Sequence, residues 1–440
     1  MERFGCGDLS FAVEPDGSLV LRCAESSSFL RMPPFLSGLD VHGFLKRTDI
    51  GLLMIPADDF FQEILGESAI PVLTNLDEPP CEPLITILQD RAELSFDLAG
   101  TVFYILARIE EYLSPVRDMY DCFPAAASHS FRHGYLHRPV VDELIEILWS
   151  CLNHLWPRLE RKKSVFRTMV SHDVDRPFEY LFRSPWRTAR IFGGDILKRR
   201  NPELAFRRAV KWFEVRQKGN EYDPFYTFDT IMDISESHDI RSAFYFFACG
   251  KSRFDGEYDI AHPRIIELMK RIAERGHEIG YHGSYCTYRN PQKTCSEVER
   301  LGKIAAIHGI EQDAWGGRQH YLRWNAPVTW RNYESAGLQY DTSLSYIDCA
   351  GFRCGTCHPF PVFDTEQCTT LNLHEYPLIV MECSVFHETL MNMPREEGFN
   401  YIKGLKDACR KYKGCFTLLW HNHCFVDPLE VDIYKRILDA

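Results

Sequence analysis

The stretch Thr168-Met169-Val170-Ser171-His172-Asp173-Val174-Asp175-Arg176-Pro177 restricts the fold more than any other part of the chain. An apolar run from about Val165 to Val170 reads as a strand, and Pro177 stops it because proline has no N–H for a ladder. Residues two apart on a strand share a face, so Asp173 and Asp175 emerge together while His172 and Val174 turn away. Two neighbouring carboxylates repel unless a cation sits beside them, either a metal ion or an arginine plus a metal. An Asp shortly before a Pro also marks surface turns. The pair gains meaning only from what the other strands deliver.

At 440 residues the chain is too long for one ordinary core and suggests two domains. Its net charge of −12, with no long Lys/Arg run, argues against a nucleic-acid or anionic-membrane partner. No apolar run reaches the roughly 18 residues of a membrane span. Met1 to Asp8 lacks a basic region followed by an apolar one, so no signal peptide is expected. The 16 cysteines are scattered without a paired frame, which reads as reduced, packed thiols in a cytoplasmic protein. Cys354-Gly355-Thr356-Cys357-His358 lacks a second pair at finger spacing, so no structural zinc site is expected there.

Residues 1–160 read as a smaller α+β domain. Short β-prone pieces (Leu19 to Cys23, Gly51 to Ile55) precede a Pro-rich connection at 78–83. Apolar residues at helical spacing then predict one helix from Phe96 to Tyr112 and another opened by Pro139. His129, His133, His137 and His154 are read as structural, and no catalytic constellation is visible in this half. After a basic linker, 165–440 alternates strands and helices, with an Arg-rich, solvated helix pair inserted at about 185–218. Strands are expected at 243–247, 277–282, near 315–318, at 340–343, 375–381 and 416–420. Polar residues gather where these strands end, which is the signature of a parallel α/β barrel.

Those ends deliver Asp173 and Asp175, His282, Arg318 with His320, Asp341, and His421. Core packing would place Val, Ile or Leu there, so the convergence points to metal and acid/base chemistry. The set resembles the polysaccharide deacetylase (NodB-like) superfamily, carbohydrate esterase family 4. The resemblance rests on Asp173-Val174-Asp175, on Gly276-His277-Glu278-Ile279-Gly280-Tyr281-His282, on Arg318-Gln319-His320-Tyr321 and on Leu419-Trp420-His421. It covers about 165–440. It implies an incomplete, distorted (β/α) barrel that removes acetyl groups from sugars with one divalent metal. Zinc is the expected ion, with manganese, iron and cobalt as alternatives. By the same resemblance Asp173 is the base, Asp175 and His282 are ligands, Arg318 steadies the base and His421 is the acid. The first half looks like the N-terminal region of certain bacterial members and brings no activity with it.

The chain departs from the family pattern in two places. The position four after His282 is Cys286, not His, and the residue two after Arg318 is His320, where the family has Pro near this point. His320 shares a face with Arg318 in an extended segment, so it is assigned as the third ligand. Cys286 and water are the alternatives. A carbohydrate substrate is expected. Two other readings stay open: an enzyme of the same fold acting on a small cyclic amide or imide, and a barrel that binds sugars without hydrolysing them. Trp186, Trp324 and Trp330 are candidates for stacking on sugars, though burial among their apolar or helical neighbours is the simpler expectation.

Overall fold

The computed structural model describes residues 9–440 apart from 25, 35–40, 48, 78, 81, 183–184 and 251. Met1 to Asp8, and Glu78 and Cys81 of the Pro-rich connection, lie outside the described residues. In 9–160, strands β1 (Leu9–Val13), β2 (Leu19–Cys23), β3 (Phe29–Met32), β6 (Ile85–Ile87) and β7 (Arg91–Leu94) form a sheet in the order β1-β2-β3-β7-β6. A separate antiparallel pair joins β4 (Ile50–Pro56) to β5 (Ala69–Asn75). The helix Val140–Leu155 buries Ile147, Cys151 and Leu152 on the stripe its spacing predicts, against Leu30, Phe61 and Ile70.

The single helix expected from Phe96 to Tyr112 is two, Leu98–Leu106 and Ile109–Leu113, broken where Arg108 takes φ 55°. Tertiary contacts override the periodicity here. The Arg108 guanidinium donates to the Ile105 and Arg353 carbonyls and pairs with Glu111 at 2.6 Å. Glu111 also takes Arg353 at 2.5 Å, so one carboxylate joins two buried guanidiniums, one of them from beyond residue 165.

After residue 165, the described residues form a nine-stranded sheet in the order β13-β14-β12-β11-β10-β9-β8-β16-β15. Its members are β8 (Arg167–Val174), β9 (Ala243–Phe247), β10 (Glu278–Gly283), β11 (Gly316–Gln319), β12 (Tyr340–Asp341), β13 (Phe360–Asp364), β14 (Thr369–Glu375), β15 (Val380–Met381) and β16 (Cys415–Leu419). All pairings are parallel except β13–β14 at one edge. β9 and β16 are buried along their whole length, as strands covered on both faces should be. The one strand expected at 375–381 is instead the end of β14 and the separate β15. Pro377, which cannot donate to a ladder, lies between them, and the chain crosses there from one side of the sheet to the other. The insertion is the expected helix pair, Pro185–Leu197 and Pro202–Lys218.

The sheet curls. Arg318 on β11 donates to both Ser171 and Asp173 on β8, three strand positions away, which in a flat sheet would be about 14 Å. That is further than these side chains reach. Glycine makes room on the inward face: a Cβ on Gly316 would stand 2.1 Å from the Tyr340 ring, and one on Gly280 would stand 2.3 Å from Tyr245. Tyr245 and Tyr340 therefore pack within the curl, their hydroxyls 3.2 Å apart. Arg318 rests on the Tyr245 ring at 5.0 Å.

Removing the Glu111 carboxylate strands two buried guanidiniums. Glu111→Ala should therefore lower unfolding free energy by about 3–5 kcal/mol, the scale of a broken buried pair. Denaturant titration reads this directly, and a loss under about 1 kcal/mol would show that the ion group does not hold the two halves together.

Candidate active site

Alternation along the strands brings the polar residues to one point. Residues 171 and 173 of β8 and 282 of β10 face inward with Arg318. Asp175 follows the end of β8, and His320 opens a turn directly after β11. Arg318 donates to Asp173 Oδ1 at 2.8 Å, to Ser171 Oγ at 2.9 Å and to the Thr342 carbonyl at 3.0 Å. Asp173 is thereby held through one oxygen, and Oδ2 accepts no hydrogen bond from the described residues.

Asp175, His282 and His320 each offer one ligand atom, and these atoms lie within 4.8 Å of one another. The hydrogen bonds decide which ring nitrogens face inward. His282 Nδ1 donates to the Arg318 carbonyl at 2.9 Å and His320 Nδ1 to Asp255 Oδ1 at 3.2 Å. When such a ring is neutral its Nε2 is then the acceptor nitrogen, and the two Nε2 atoms lie 3.2 and 3.6 Å from Asp175 Oδ1. Asp175 Oδ1 and His282 Nε2 are buried and lack a hydrogen-bond partner. Three lone pairs aimed at one space call for a positive charge there, and one cation satisfies all three at once. The O/N/N donor set fits a first-row divalent metal. Burial pushes the Asp175 pKa up, but the positive charge of the surrounding His320, His282 and His421, when these rings are protonated, draws the carboxyl well below the usual range.

His421, just after β16, lies with Nε2 3.6 Å from Asp175 Oδ2. Its Nδ1 donates to Glu382 at 2.5 Å, and its backbone N–H reaches the same oxygen at 3.0 Å. Burial alone would keep the imidazole neutral, but the Glu382 carboxylate lifts its pKa well above the ordinary value. Burial likewise works against ionising Glu382, yet the pairing with His421 draws that carboxyl down to about 2.

The structure thus gathers Asp173, Asp175, His282, Arg318, His320 and His421 around one centre. Asp173, Asp175, His320 and His421 line a cleft of about 540 Å³. Cys286 is exposed and joins no ligand cluster among the described residues. Asp341 is buried beside Glu375 in the register of β12 with β14 and does not line the cleft. Trp324 and Trp330 are buried against each other, and the exposed Trp186 lies outside the cleft. Sequence reasoning missed Glu382 and Asp255. Glu382 carried a readable signal, a carboxylate closing the apolar run Leu378 to Met381, as Asp173 closes β8. Asp255 sits in an irregular loop and carried none.

A family model described as a family of unknown function, DUF7033, matches residues 44–157. No curated protein matches the chain significantly. Among solved structures, the chain is similar to a provisionally assigned polysaccharide deacetylase from Mycobacterium smegmatis at 14% identity and TM-score 0.39, covering 63% of this chain and 83% of that one. It is also similar to Puue allantoinase at 14% identity and TM-score 0.39, over 64% and 85% of the two chains. A probable polysaccharide deacetylase from Pseudomonas aeruginosa PAO1 matches at 13% identity and TM-score 0.39, over 63% and 84%. The architecture is read from the chain's own strand order.

Because Glu382 lifts the His421 pKa, the imidazolium persists as pH rises through neutrality and is lost only above the usual histidine range. Glu382→Gln removes that charge, so His421 should deprotonate at lower pH. Imidazole NMR titration of both proteins reads the shift, and unchanged midpoints would mean that Glu382 does not govern His421.

Proposed function

We propose that the chain is a metal-dependent hydrolase that removes an N- or O-linked acetyl group from a sugar of a cell-surface polysaccharide or its precursor. One observation carries the reaction class: three lone-pair atoms converge beside an arginine-held carboxylate and a carboxylate-held imidazole. The sugar is carried by the motif resemblance, because any acyl group on nitrogen or oxygen suits the same machinery.

Asp175, His282 and His320 would hold the ion, which supplies Lewis-acid activation of water and of the acyl carbonyl. Asp173 takes the proton of the attacking water on Oδ2, since Oδ1 is occupied by Arg318. Arg318 donates to Oδ1 and so fixes the plane of that carboxylate. As the bond from the acyl carbon to nitrogen or oxygen breaks, His421 gives its Nε2 proton to the leaving atom, and Glu382 stabilises the imidazolium until then. His320 also supplies the imidazole whose absence at position 286 motivates a sugar-binding barrel without catalysis, which weakens support for that reading.

Elemental analysis should find about one divalent ion, zinc foremost, per chain, lost in Asp175→Ala, His282→Ala and His320→Ala and kept in Cys286→Ser. Full occupancy in a His320 variant would remove that residue from the site. Asp173→Asn should keep the metal while turnover on acetylated saccharides falls by roughly 10²–10⁴, the range for losing a general base. If metal and activity leave together, Asp173 is a ligand and the roles are wrongly divided.

A further inference from the structure

One wall of the cleft is aromatic, and parts of the chain far apart in sequence build it. Tyr120, Phe254 and Tyr321 all line the cleft. The Tyr120 ring lies 4.9 Å from Tyr321 and 6.3 Å from Phe254, and Tyr285 backs Phe254 at 4.3 Å. Tyr321 in turn lies 4.7 Å from the His320 ring. Two ring-to-ring steps therefore lead from a proposed metal ligand to a residue of the N-terminal half.

The loop carrying Tyr120 is fastened to the sheet's own loops. Asp118 caps the N–H groups of Tyr120 and Cys122. Arg323 donates to the Tyr120 carbonyl at 2.7 Å while its guanidinium lies 3.9 Å from both the Tyr285 and Tyr288 rings. Asp121 takes the Tyr288 hydroxyl and pairs with Arg289 at 3.2 Å. The Cys122 thiol donates to the Tyr321 carbonyl. On the other side Tyr321 and Leu322 adopt φ 59° and 50° in succession. Bulky residues take that region only where their surroundings impose it. A wall made for packing alone would be covered, but Tyr120, Phe254 and Tyr321 stay half-exposed. No described residue accepts from or donates to the Tyr120 or Tyr321 hydroxyl.

We propose that Tyr120, with Tyr321 and Phe254, is a stacking surface for a second sugar ring, next to the one that bears the acetyl group. Residues 114–124 thereby select among saccharides, which gives the N-terminal half a part in the substrate site. Aromatic faces suit a pyranose because its C–H face is apolar, while its edge hydroxyls can bond to polar groups such as the two tyrosine hydroxyls, which no described residue engages. This rests on the hydrolase reading for the identity of the first ring only.

The test compares wild type, Tyr120→Ala, Tyr120→Leu and Tyr120→Phe on acetylated saccharides of one to four rings and on 4-nitrophenyl acetate. Wild type should prefer two rings to one. The Ala and Leu variants should raise KM about tenfold on two or more rings, with kcat and the small ester unchanged, and Phe should retain most of the preference. Leu keeps more of the apolar bulk than Ala should Ala fail to fold. Equal loss on all substrates, no loss, or no wild-type preference for a second ring would overturn the proposal while leaving the hydrolase reading intact. If no substrate releases acetate, the hydrolase reading fails and binding of the same saccharides decides. Affinity that falls in Tyr120→Ala supports the surface, and absence of binding to wild type overturns it.

Discussion

The ion pair between Arg318 and Asp173 is the interaction on which the rest of the structure depends. A buried guanidinium is tolerable only when its donors are used, and here they go to Asp173, Ser171 and Thr342 while the π face of Tyr245 lies beneath. Those partners sit on β8, after β12 and on β9, so satisfying one side chain curls the sheet and ties its strands together. The same act fixes the orientation of a carboxylate at the mouth of the curl. Fold and chemistry share one residue.

Around that pair the site is arranged by hydrogen bonds that fix which nitrogen each imidazole turns inward. The Arg318 carbonyl orients His282, Asp255 orients His320 and Glu382 orients His421. The first two rings present lone pairs to the same carboxylate oxygen, and the third is poised as a cation. Outer partners of this kind set ligand basicity and ring angle. The difference between ligand and acid lies in them, since all three rings are the same chemical group.

Much of this was legible in the sequence because a strand's period of two is rigid. That period turned Asp173 and Arg318 inward, while Asp175 and His320 reach the same centre from just past the ends of β8 and β11, where the strand alternation no longer holds. The partners Asp255 and Glu382 were harder, being distant in sequence and set by loop and crossover geometry. The helix read through Arg108 failed because a buried ion group recruits that arginine, and the strand read through 375–381 failed at Pro377. Tyr120 was hidden in a segment without periodicity, and its place in the cleft depends on anchors as remote as Arg323. Local pattern reveals what one strand presents; long-range fastening is written in no single window.

X-ray absorption spectroscopy of the metal-loaded protein tests the central claim most directly. The account predicts a sulfur-free sphere of two imidazole nitrogens and one carboxylate oxygen from the protein, with nitrogen near 2.0–2.1 Å if the ion is zinc, and loss of one imidazole in His320→Ala. A sulfur shell near 2.3 Å that disappears in Cys286→Ser, or a sphere unchanged by removing His320, would contradict it.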